Sequence, residues 1–116
     1  MTTTPPIDRA TFDALRDAAG AEFVVELVQT FLQEAPAMLA ELWRAKRAGD
    51  AESFRRSAHS LKSNASTFGA TALAGLAREV ESGGLAGIAG HGDGGLAALE
   101  SEYARTAAAL EALRHA

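Results

Sequence analysis

Residues 51–68 read AESFRRSAHSLKSNASTF, and the spacing of the apolar residues in this stretch determines the fold that we predict. The apolar positions follow one another in steps of four, three, four and three, which places them on one side of an α-helix. They are Phe54, Ala58, Leu61, Ala65 and Phe68. Gly49 and Asp50 precede the stretch and Gly69 follows it, so we predict a helix over about residues 51–68 with one buried side.

Four further segments have the composition and apolar spacing of helices, because Ala and Leu dominate and β-branched residues are sparse. A short one, capped by Asp8, ends near Ala18, and the others cover about residues 21–48, 72–82 and 95–114. Thr71 is placed to cap the helix over 72–82, and Pro36 should bend the one over 21–48. The longer helices, joined by short turns, predict an all-α fold: an up-and-down antiparallel four-helix bundle with a short additional N-terminal helix.

The length and composition of the chain fit one domain, because 116 residues with 47% hydrophobic side chains can close a core of their own. We predict that residues 1–7 form a disordered tail and that residues 8–116 form a single, monomeric domain. The first residues, MTTTPPID, lack the basic and apolar parts of a secretory signal, and no segment has the roughly 18 apolar residues of a membrane span. We therefore expect a cytoplasmic protein without a membrane anchor.

Charge and residue types exclude several functions. The chain has no cysteine, which excludes a disulfide framework, thiolate zinc sites and a cysteine nucleophile. A net charge of −4 argues against a dedicated nucleic-acid-binding protein, which needs an excess of Lys and Arg. His91 and His115 have no partner at ligand spacing, so we expect no metal site. Residues 90–95, GHGDGG, match the dinucleotide-binding fingerprint, but no strand precedes them, and we predict a flexible connection.

His59 lies just outside the apolar side of the helix over residues 51–68, where a lone histidine usually has no special role. Its neighbours on the same face are the cations Arg55, Arg56 and Lys62 and the hydroxyl residues Ser63 and Ser66. The cations disfavour a further positive charge on the ring, whereas they would stabilise a phosphoryl group bound to it. The small side chains leave the ring accessible to a large partner.

The stretch HSLKSNASTFGA resembles the phosphorylation motif of histidine-containing phosphotransfer (HPt) domains. That motif has a His, a Lys three residues later, a small residue next, and a Gly ten residues after the His. The matching positions in this chain are His59, Lys62, Ser63 and Gly69. The resemblance extends from about Asp8 to the C-terminus and implies the same bundle fold. Ser63 stands where the family usually has Gly, so access to the ring is retained but the fit of a partner could differ.

The resemblance implies a role for each residue around His59, which would be the phosphoacceptor. Glu81 matches the position at which phosphotransfer domains of chemotaxis kinases hold a Glu against the reactive His. There it would accept a hydrogen bond from Nδ1–H and leave Nε2 as the nucleophile; the alternative is that Glu81 is an ordinary surface acid. Lys62 would bind the phosphoryl oxygens, and Arg55 and Arg56 would attract an acidic partner.

The resemblance also implies the partners of the chain. They would be the receiver domains of a hybrid histidine kinase and of a response regulator, between whose aspartates the chain would relay a phosphoryl group. The receiver would supply Mg²⁺, and the chain would need no cofactor of its own. It would therefore be a phosphohistidine carrier without autonomous kinase activity.

Two other functions are compatible with the same residues. In a non-catalytic helical adaptor, His59 would only be part of a face that binds response regulators. In the dimerising hairpin of a sensor histidine kinase, His59 would also accept phosphate. That family, however, follows its His with an acid and, a few residues later, a proline, where this chain has Ser60 and Asn64.

Overall fold

The computed structural model describes the backbone of residues 5–91 and 94–114 and the side chains of residues 5–84 and 95–114. These residues form five helices and, within the described ranges, no strand. The helices are α1 (Arg9–Ala19), α2 (Ala21–Ala48), α3 (Ala51–Thr67), α4 (Thr71–His91) and α5 (Gly94–Arg114). The helix α3 packs between α2 and α4, α5 packs on α4 and α2, and α1 packs against α2 and α3. The predicted four-helix bundle with an additional N-terminal helix is confirmed.

The apolar side of α3 forms part of the core, as its spacing predicts. All five apolar positions of the opening stretch are buried. The ring of Phe68, just after α3, packs against Phe31 of α2 with 5.5 Å between centroids, and Phe31 in turn lies 6.0 Å from Tyr103 of α5. Burying one such side chain stabilises a fold by about 1.5–3 kcal/mol. This burial fixes the rotation of α3, so that its opposite side faces outward.

The ends of the helices differ in part from the predictions. At the start of α3, the carboxylate of Asp50 accepts a hydrogen bond from the Ser53 N–H over 3.1 Å, which is an N-cap. Asp8 occupies the N-cap position of α1, but its carboxylate accepts a hydrogen bond from the Thr11 hydroxyl and none from a backbone N–H of the helix. Thr71 belongs to α4 rather than preceding it. Pro36 lies inside α2, and its bend stays a prediction.

The predicted end of the fourth helix near residue 82 is wrong, because residues 85–91 are also helical and belong to α4. Gly84 interrupts the helix with φ 59° and ψ −159°, a conformation open mainly to glycine, and a second helical segment then runs to His91. The physical reason is that residues 85–89, LAGIA, contain good helix formers between the glycines. Residues 92–93 of the predicted flexible connection lie outside the described residues, whereas residues 94 and 95 begin α5.

The turn between α3 and α4 is held against the start of α1. Gly69 has φ +77°, and a Cβ atom there would lie 2.8 Å from Thr11 Cβ and 2.9 Å from the Asp8 carbonyl oxygen. The Asp8 N–H donates a hydrogen bond of 2.7 Å to the carbonyl of Gly69. Ile7, at the end of the predicted tail, is 4% exposed and belongs to the core. Residues 1–4 lie outside the described residues, so the disordered tail stays a prediction there.

No helix among the described residues combines the length and the apolar character that a membrane crossing requires.

Candidate functional site

His59 lies on the outward side of α3, beside α4. Ala58 and Leu61 are buried in the core. His59 directly follows Ala58, so its ring points away from the core, to the surface. Its side chain is 56% exposed. A second protein can therefore reach the ring without any rearrangement of the bundle.

Glu81 of α4 joins His59 to Lys62. Its Oε2 lies 2.8 Å from Nδ1 of His59, and its Oε1 accepts a hydrogen bond of 2.6 Å from Nζ of Lys62. The Glu81 side chain is 17% exposed and the Lys62 side chain 27%, so both are more shielded from solvent than the His59 side chain. The structure thus places together the three residues for which a direct part in phosphoryl transfer is predicted.

The hydrogen bond from Lys62 is the main reason why the pKa of Glu81 lies below its ordinary value of 4.5. Partial burial opposes this effect, and the hydrogen bond with His59 adds to it. Glu81 is therefore ionised at neutral pH. Because an ionised carboxylate can only accept hydrogen bonds, the proton of the neutral ring must be on Nδ1, which leaves the lone pair on Nε2.

The cations predicted to surround the ring are placed differently. Lys62 meets the ring through Glu81, and the guanidinium of Arg56 is directed to Ser53 Oγ, 3.4 Å away, in a groove between α2 and α3. Arg55 is exposed on α3. The charged group that contacts the ring is thus a carboxylate. Spacing along one helix does not show this arrangement, because Glu81 comes from the neighbouring helix.

The remaining predicted residues lie along α3 and the turn after it. Ser63 and Ser66 are exposed, so no bulky side chain covers this side of the helix. Gly69 is buried against α1 and lines the far end of a groove between α3 and α4. No group of three His, Asp or Glu residues that could hold a metal ion occurs within the part of the chain that the structure describes.

Arg78 is a further cation near the site and is not among the residues predicted from the sequence. It lies on α4 three residues before Glu81 and lines the same groove as Lys62. Residues three apart on a helix share a face, so the spacing from Glu81 would have pointed to Arg78.

Comparison with known proteins agrees with this geometry. The family model of the Hpt domain matches residues 26–116. The chain belongs to the HPt family. A crystal structure of histidine-containing phosphotransfer protein B (HptB) from Pseudomonas aeruginosa PAO1 is similar to the HPt chain, with a TM-score of 0.86 and 29% sequence identity over 97% of each chain. No curated protein matches the HPt chain at a significant level.

The family and the fold together establish the general function. The HPt chain is a histidine phosphotransfer protein of a phosphorelay, and proteins of this family interact with receiver domains.

Proposed function

We propose that the HPt chain accepts a phosphoryl group on Nε2 of His59 from the aspartyl phosphate of one receiver domain and transfers it to the aspartate of another. The two receivers would belong to a hybrid histidine kinase and to a response regulator. The observation that carries this proposal is the contact of Nδ1 with the Glu81 carboxylate, on a ring that is otherwise exposed. It presents a lone pair on Nε2 to a partner.

The transfer step needs no proton acceptor, because no proton leaves the ring. The Nε2 lone pair attacks the phosphorus atom, an N–P bond forms, and the bond between phosphorus and the receiver's carboxylate oxygen breaks. The aspartate leaves as a carboxylate, and the imidazole, which keeps its Nδ1 proton, becomes positively charged. In-line placement and charge neutralisation decide the rate of such a step.

Glu81 has a specific part in this step. The positive charge develops on the ring while Nδ1–H is hydrogen bonded to a carboxylate 2.8 Å away, so the charge is stabilised where it forms. Lys62 keeps that carboxylate ionised and oriented. Because an ammonium group has three donors, Nζ can also bind a phosphoryl oxygen while it holds Glu81, as the motif implies.

The receiver provides the remaining chemistry of the proposed relay. An aspartyl phosphate is already an activated donor, so the HPt chain needs no nucleotide. Mg²⁺ would be held by the receiver, where it neutralises the moving phosphoryl group. One exposed ring is sufficient for each transfer, so we propose that the chain acts as a monomer, in the cytoplasm with its partners.

Uptake of label from phosphorylated receivers tests the proposed function. Each receiver domain encoded in the same genome is phosphorylated with ³²P, purified and mixed with the chain. We expect at least one receiver to transfer its label to the chain, in a form that is stable to alkali and lost in acid, as phosphohistidine is. Receivers that bind without any transfer would instead identify an adaptor, and an acid-stable label would indicate a hydroxyl acceptor.

Glu81→Gln is expected to slow phosphoryl uptake by about 10–100-fold, the range found when the partner that orients a metal-binding histidine is changed. The amide is neutral, and its NH₂ group can donate to Nδ1, which moves the ring proton to Nε2 and removes the nucleophilic lone pair. The measurement is the single-turnover rate at saturating receiver. Glu79→Gln makes the same chemical change at an exposed position of α4 and should keep the original rate. An unchanged rate in Glu81→Gln would show that the contact has no part in transfer.

A further inference from the structure

A groove between α3 and α4 begins beside the phosphoacceptor site. We call it the α3–α4 groove; at its near end it is lined by Lys62 and Arg78, and along its length by Ser66, Ala74 and Gly75. Lys62 holds Glu81, and Glu81 contacts His59, so the groove is linked to the ring through these two side chains. The lining side chains between its two ends are small, which leaves room for a partner's side chain.

The charge of the α3–α4 groove differs from that of the chain. The chain has a net charge of −4, yet among the described residues that line the groove there are two cations and no carboxylate. The other polar side chains in the lining are hydroxyls. Such a surface favours an anionic partner group.

Arg78 is exposed on α4. It makes no hydrogen bond or ion pair with any residue whose side chain the structure describes. Elsewhere the three arginines Arg44, Arg105 and Arg114 each bind a glutamate three residues earlier. At that spacing Arg78 has Gly75 instead. Three residues later stands Glu81, whose two carboxylate oxygens are engaged by His59 and Lys62. The guanidinium is thus left available.

We propose that a receiver docked over His59 also covers the α3–α4 groove, and that Arg78 there pairs with a carboxylate on the receiver. This proposal rests on the proposed function for the choice of partner. A receiver that binds Mg²⁺ beside its aspartate must carry several carboxylates near that site, because oxygen ligands are what Mg²⁺ prefers. The unpaired cation of Arg78 lies one helical turn from the residue that holds the reactive ring, so it complements that acidic surface. Arg78 is then a residue that determines affinity for the receiver, without touching the transferred group.

Binding and transfer are measured separately to test this. Each purified receiver domain from the same genome is titrated into the His59→Gln chain by calorimetry, and the receiver that binds most tightly is kept. Arg78→Glu is expected to weaken its binding about tenfold, and Arg78→Ala by two- to fivefold, the range of a partly exposed ion pair. Arg47→Glu is the matched control. Arg47 is exposed in the groove between α2 and α5, and its reversal changes the net charge equally but should weaken binding less than threefold.

Transfer is then followed in chains that retain His59, with the receiver phosphorylated. In Arg78→Glu the half-saturating concentration should rise about tenfold, while the rate at saturation stays within twofold. Equal weakening by Arg78→Glu and Arg47→Glu would overturn the proposal, because only net charge would then matter. A lower saturated rate with unchanged binding would also overturn it, since Arg78 would then act on the reaction. If the receiver binds but never transfers phosphate, the proposed function fails, and the binding data still decide the role of Arg78.

Discussion

The His59→Gln chain is expected to take up no phosphoryl group from any receiver that labels the original chain. Glutamine has no nucleophilic lone pair comparable to that of Nε2, so the acceptor atom itself is removed. Uptake is measured as acid-labile ³²P on the chain, and we expect it to fall to the level of a blank. This is a loss of more than a hundredfold.

Folding should survive this substitution, so the loss can be assigned to chemistry. The His59 side chain is 56% exposed, and among the described residues its ring hydrogen bonds to Glu81. Surface substitutions of this kind change the free energy of unfolding by about 0.5 kcal/mol or less, and an exposed ion pair is worth about 1 kcal/mol at most. Urea unfolding of both chains checks this expectation.

The other two histidines provide the matched control. A chain with both His91→Gln and His115→Gln retains His59 alone and should take up label as the original does. If that double variant lost its label while His59→Gln kept it, the phosphoacceptor would be one of the other two histidines and the site described above would be wrong.

Gly69→Ala is expected to lower the free energy of unfolding by about 2–5 kcal/mol. A left-handed backbone costs a residue with a Cβ about 1–2 kcal/mol. Forcing that atom to within 2.9 Å of the Asp8 carbonyl oxygen and 2.8 Å of Thr11 Cβ adds about 1–3 kcal/mol, because a backbone oxygen and a β-carbon cannot rotate away. Urea unfolding followed by circular dichroism measures the change.

Gly49→Ala separates the two contributions. Gly49 follows α2 with φ +68°, close to the value at Gly69, but a Cβ there meets no atom within 4 Å. We expect a loss of about 1–2 kcal/mol from the backbone conformation alone. Equal losses in the two variants would mean that α1 yields to the extra carbon, and that the contact between α1 and the turn is looser than its distances indicate.

The local part of the fold could be predicted from the sequence because it depends on spacing within single helices. Phe54 and Leu61 lie on the apolar side of α3 regardless of which helix packs against it. Gly49 followed by Asp50 marks the boundary between α2 and α3. The extension of α4 could not be predicted in this way. Several glycines indicate a loop, whereas the apolar residues between them favour a helix. In the structure only Gly84 of α4 leaves the helical conformation, and the residues after it are helical again up to His91.

The motif supplied His59 and Lys62, and the contact of Glu81 with His59 followed from the resemblance to other phosphotransfer domains rather than from spacing. His59 and Lys62 are three apart on one helix, so their shared face follows from the sequence. Glu81 reaches them only because of the way α4 lies on α3, and the rotation of one helix against another is not encoded in the spacing of either. Arg78 could have been found from its spacing to Glu81 and Gly75, but the engagement of both Glu81 oxygens by His59 and Lys62 is seen only in the structure.

The hydrogen bond between the Asp8 N–H and Gly69 has a practical meaning for fusions to this chain. It anchors the start of α1 at the far end of the α3–α4 groove, so the described part of the chain begins near that groove. A bulky tag there would crowd an approaching receiver, whereas a receiver joined by a suitable linker at the same point would be held at millimolar local concentration.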